Sequence, residues 1–117
     1  MLKNLNQQHK TLNIDKINQA ICISENQVQA EFYHRMRVMH MPVHLQIKVP
    51  SRHHRSGEFV VDALVGTPPF CAIEFKRAGK SGPRPGTRQH NSYEALGMPW
   101  RSCCGMKEIE PTIRWVK

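Results

Sequence analysis

No segment of this 117-residue chain is apolar over the length of a membrane span, and the opening stretch MLKNLNQQHKTLNIDK lacks the hydrophobic core of a secretory leader. The expectation is an intracellular, cytoplasmic protein with no membrane partner. Cysteine pairs at CxxC spacing are also missing. Cys22 and Cys71 stand alone, and Cys103 and Cys104 are adjacent. Such spacing supports neither a disulfide framework nor a structural zinc site, and the neighbouring His53 and His54 do not supply one. Repeats and low-complexity tracts are absent, and the length leaves room for a single hydrophobic core. The last shortage is of acid. Between Glu74 and Glu94 there is no carboxylate, while Lys76, Arg77, Lys80, Arg84 and Arg88 follow one another. Half of the net charge of +8 falls within residues 66–93. Cations spread over a surface are often merely solvated. Gathered into one segment beside reactive groups, they favour a polyanionic partner.

What is present reads as an ordered series of elements. Residues 1–23 look like an N-terminal appendage, with helical apolar spacing at Leu12, Ile14, Ile17 and Ile21. Ser24-Glu25-Asn26-Gln27 is a capping box that opens a clearer helix, whose apolar face carries Val28, Phe32, Met36 and Met39. Glu25, seven residues before Phe32, is expected on that same inward face, where a carboxylate must be paired or coordinated. Pro42 ends the helix. VHLQIKV alternates as a half-buried strand, PSRHHRSGE is a mobile basic loop, and FVVDALV reads as a strand covered on both faces and broken only by Asp62. After the tight turn GTPP comes the strand FCAIEFK. A Gly- and Pro-rich basic loop then leads to a helix over Thr87–Gly97, a short strand over Pro99–Cys104, and a final helix over Lys107–Val116 with Pro111 near its first turn. Helix, three strands, helix, strand, helix makes an α/β domain with a small mixed sheet flanked by helices.

The chemistry is concentrated in the third strand. Glu74 and Lys76 are two residues apart, so they leave the same face of the sheet, while Ile73 and Phe75 take the other face toward a helix. The short GTPP connection lets the strands of Asp62 and Glu74 be hairpin neighbours, and register would then set the two acids side by side. Adjacent carboxylates in a strand core repel unless a cation joins them. A hard divalent ion such as magnesium answers that need while keeping waters of its own, one of them a ready nucleophile. Lys76 adds positive charge on the same face, suited to an attacking water or to a phosphorus gaining negative charge. The plainer reading is a solvated Glu/Lys stripe and a buried Asp62 bonded to backbone N–H groups.

Asp62 followed by Glu74-Phe75-Lys76 resembles the metal site of the PD-(D/E)XK nucleases, and the chain most resembles their virus-type replication-repair (VRR-NUC) branch. The likeness covers residues 24–117 and is most specific in IEFKRAGK followed by RQHNSYEALGMPW. It implies a restriction-endonuclease-like αβββαβ core and a magnesium-dependent nuclease acting on DNA, with manganese as a substitute ion and branched or flapped DNA among its substrates. By the same resemblance Asp62, Glu74 and the Phe75 carbonyl would bind the metal, and Lys76 would be the catalytic lysine. Glu25 would orient metal-bound water, Gln89 would line the site, and Tyr93 would complete a QxxxY pattern. Relatives commonly carry glycine, often with proline, just before the aspartate; here the stretch is GEFVVD, with Gly57 five residues upstream.

Around that centre, Arg77, Lys80, Arg84 and Arg88 are placed to contact backbone phosphates. Arg52 and Arg55, with the histidines between them, form either a second wall of a groove or an ordinary solvated loop. Tyr93 either orients a base or phosphate or packs on the sheet. Two-strand cutting by so small a chain requires a homodimer. A non-catalytic DNA-binding module on the same fold, and a basic partner-binding protein, are the competing readings.

Overall fold

The computed structural model describes residues 24–117; the N-terminal appendage, residues 1–23, lies outside the described residues. Helix α1 spans Glu25–Val38, strand β1 Val43–Pro50, β2 Glu58–Val65 and β3 Cys71–Lys76. Helix α2 then spans Arg88–Glu94 and β4 Trp100–Cys104, after which a 3-10 turn (Met106–Glu108) leads into α3 (Ile109–Val116). The strands lie in the order β1-β2-β3-β4. The first three form an antiparallel meander, and α2 carries the chain over the sheet so that β4 runs parallel to β3. The α/β class, the small mixed sheet and the order of elements agree with the reading from sequence. Among the described residues no helix is long and apolar enough to cross a membrane.

Local chemistry sets where the helices begin. At α1 the Ser24 hydroxyl accepts from the Gln27 N–H at 3.3 Å and the Gln27 side-chain oxygen accepts from the Ser24 N–H at 2.9 Å, so the capping box forms in full. At α2 the Thr87 hydroxyl accepts from the His90 N–H at 3.2 Å. Helix α2 stops at Glu94, three residues short of Gly97, which takes the left-handed φ of 70° that favours glycine. Pro111 sits in the first turn of α3, where its missing N–H has no helical partner to lose.

Three expectations change. Met39 is 37% exposed rather than inward, because it caps α1 and the helical period no longer governs it. Glu25 is exposed: as the first helical residue it lines a cavity instead of packing in the core. Strand β2 is covered on both faces only over Asp62–Val65, while Glu58 and Val60 in its first half are exposed.

The reason for the last difference is a change of face within β2. Ala63 and Val65 pack under α1 and α3, whereas Phe59 and Val61 pack under α2. Strict alternation would put all four on one side. The β1–β2 ladder skips a single rung at this point, Gln46 opposite Asp62, and Gln46 takes a left-handed φ of 55°. Val61 and Asp62 therefore turn consecutively toward α2, with the β1–β2 register unchanged on either side.

Candidate active site

Strand β3 holds the centre of the site. It is flanked by β2 and β4 and buried from Ala72 to Phe75. Ile73 and Phe75 point into the layer under α1, where the Phe75 ring lies 5.4 Å from that of Phe32. Glu74 points the other way, toward α2, and is only 4% exposed. Both of its oxygens are engaged. The Tyr93 hydroxyl donates to Oε1 at 2.5 Å and the Gln89 amide donates to Oε2 at 2.8 Å, while the Lys76 ammonium lies 3.3 Å from Oε2. Gln89 and Tyr93 reach one carboxylate because they stand four residues apart on one helical face. Tyr93 does both things open to it, packing on the sheet and bonding the acid.

Asp62 arrives from β2. Continuing the β2–β3 register beyond Ala63 and Ile73 puts it opposite Glu74. Its Oδ2 accepts from the Phe75 N–H at 2.8 Å, so a side chain replaces the backbone partner at the point where the ladder ends. The Phe75 carbonyl, on the same side of the strand as its N–H, faces β2 as well. The two carboxyls are close enough for the charge of Asp62 to act on Glu74. Burial, reinforced by the charge of Asp62, pushes the Glu74 carboxyl up to about 7. Burial likewise raises Asp62 above the usual carboxylate range, and the charge of Glu25 adds to the effect. Burial and the adjacent Glu74 charge push the Tyr93 hydroxyl far up, so it remains a donor at any physiological pH.

The remaining expected residues divide. Glu25, Lys76, Arg77 and Lys80 line a common cavity of about 710 Å³ beside the N-terminus of α1. Arg52 lines a second cavity beyond α2. Arg55, Arg84 and Arg88 are exposed and line neither.

Sequence reasoning missed how the basic loop is attached. A Cβ on Gly82 would collide with the Ser102 hydroxyl, and one on Gly105 would stand 2.9 Å from the Ala78 side chain. Ser102 is the β4 neighbour of Glu74. The loop after β3 is thus folded tightly across β4 next to the buried acid, which keeps Arg77 and Lys80 near it. Glycines recur throughout this loop, so only the pairing of β4 with β3 singles out Gly82.

A hard divalent cation suits this donor set. Two acids whose protons are held by burial and mutual repulsion become stable as anions when a cation joins them. Among the described residues no three His, Cys, Asp or Glu side chains converge on one point. An ion held by Asp62, Glu74 and the Phe75 carbonyl would therefore complete its shell with water, a habit of magnesium. Comparison of the chain with family models, with curated proteins and with solved structures finds no match.

Proposed function

We propose that the protein is a metal-dependent nuclease that hydrolyses DNA phosphodiester bonds, on a restriction-endonuclease-like core of the VRR-NUC kind. The observation that carries this reading is the β2–β3 register that sets Asp62 opposite the buried Glu74, with the Lys76 ammonium 3.3 Å from Glu74. An isolated stabilising ion pair needs no second carboxylate beside it. A buried pair of acids is a cost to the fold, of the kind that a functional site accounts for.

Magnesium bound there, or manganese in its place, would supply charge against the transferring phosphate and a water acidic enough to attack it. The chain's own residues do the rest. Gln89 and Tyr93 fix the rotamer of Glu74, so that acid is oriented before substrate arrives. Lys76 presents an ammonium at the same place, able to position the attacking water or to balance charge on the phosphate. Arg77 and Lys80 hold backbone phosphates along the larger cavity. Glu25 lines that cavity with Lys76 and would accept a hydrogen bond from water approaching the phosphate.

The test is incubation of the full chain with linear duplex, single-stranded, flapped and four-way DNA in magnesium, manganese or EDTA. Cleavage is expected with either ion and none in EDTA. Asp62→Ala and Lys76→Ala should each lower the rate by about 100-fold or more. Tight, salt-sensitive binding of DNA with no cleavage in any buffer would leave a binding module in place of the enzyme.

A further inference from the structure

On the flank of α2 away from Glu74 lies a second cavity, of about 390 Å³, which the catalytic reading does not use. It is built by the 51–57 loop and the outer side of α2. That loop is held in shape. The Ser51 N–H donates to the Gly57 carbonyl at 2.8 Å, the Gly57 N–H donates to the His54 carbonyl at 2.9 Å, and the His54 ring stacks on Phe59 at 5.1 Å. These contacts close the loop into a wall of the cavity.

The lining has three kinds of chemistry. Arg52 and His53 stand on the loop side, and among the described residues no carboxylate lines the cavity. Pro50, Ala95 and Leu96 provide an apolar surface. Between these lie the hydroxyls of Ser51 and Ser92, 3.0 Å apart, with Ser92 only 2% exposed. The His53 N–H donates to the Ser51 oxygen at 3.2 Å. Two hydroxyls carry two protons and their mutual bond uses one, so the pair still has a proton to donate. The volume is at the low end of pockets that enclose a small organic molecule, about 300–1,000 Å³. That is the scale of one nucleotide.

We propose that this cavity is a subsite for a single unpaired nucleotide of the substrate strand. Its phosphate meets Arg52 and the serine hydroxyls, and its base or sugar lies on Leu96 and Ala95. The inference rests on the nucleic-acid part of the function proposed above and extends it to the substrate's form. Ser92 is adjacent to Tyr93 and one helical turn from Gln89. A strand bound at both places therefore straddles α2 with at least one base unstacked, as single-stranded or flapped DNA allows and an intact duplex does not.

The experiment is a two-dimensional amide NMR titration of the full chain in EDTA, so that nothing is cleaved, with thymidine 5′-monophosphate, thymidine and inorganic phosphate as separate probes. The monophosphate should shift the amides of Ser51, His53, Ser92 and Leu96, and should bind at least about tenfold more tightly than either fragment. Arg52→Glu should weaken it by about tenfold or more, and Arg52→Lys should restore most of the affinity. The subsite is refuted by shifts confined to the Lys76–Ser81 region, by phosphate binding as tightly as the nucleotide, or by Arg52→Glu with unchanged affinity in a folded protein. Because no metal or turnover is involved, absence of cleavage would sink the nuclease reading and leave this result standing. Cleavage without these shifts would do the reverse.

Discussion

On one face of the sheet, α1 and α3 bury Val28, Phe32, Met36, Ile73, Phe75 and Ile113 in a layer with no charged member. On the other, α2 buries Phe59, Val61, Ala72 and Tyr93 around the enclosed carboxylate of Glu74. The two layers share β3, and alternate residues of that strand serve each in turn. The apolar layer is assembled from long-range packing, with Thr112 of α3 a buried polar side chain beside it, and it supplies the stability. The α2 layer is smaller and carries an ionisable pair that opposes folding whenever both acids are charged. A domain with one strong face is able to keep a strained one.

The sharpest way to break that contrast is to damage the strong face. Phe32→Ala leaves a cavity against Phe75 and should cost about 3–5 kcal/mol, measured by urea unfolding. A loss below about 1 kcal/mol would mean that the α1 layer does not hold the domain. The next effect comes from the other face. With Glu74 raised to about 7 by burial, the native state binds its proton more tightly than the unfolded chain does. Stability from this group is therefore full below the ordinary value of 4.5, falls as pH rises to about 7, and stays lost above. In EDTA the wild type should lose about 3 kcal/mol across that window. Glu74→Gln should remove most of that slope and be the more stable protein at pH 8, even while it abolishes cleavage. Equal slopes in the two proteins would show that the acid is not under strain. The smallest effect separates anchoring from packing. Thr87→Ala removes the cap of α2 and should cost about 1 kcal/mol. Because α2 orients Glu74, it should also lower cleavage several-fold, and a purely thermodynamic effect with normal cleavage would detach that helix from the chemistry.

How far the site was legible varies residue by residue. Glu74 and Lys76 were placed on one face, and Ile73 and Phe75 on the other, by the two-residue period of an extended chain, and each lies where that period puts it. Gln89 and Tyr93 share a target for the equally local reason of helical spacing. Glu25 misled for a matching reason: helical phase gives the direction of a side chain, but not whether the sheet extends beneath it. The hydrogen bonds that close the basic loop over 51–57 were not legible, because composition records polarity and says nothing of them.

By itself, then, the chain determined its caps, the order of its elements and which side chains of β3 oppose each other, since sterics and hydrogen bonds within a few residues decide those. Tertiary structure alone decided that β2 changes face beside Asp62, that Gly82 rests on Ser102, and that Ser51 meets Ser92. Each of those joins residues far apart in sequence. Their meeting depends on strand register and on how helices settle over a twisted sheet, and no local pattern encodes it.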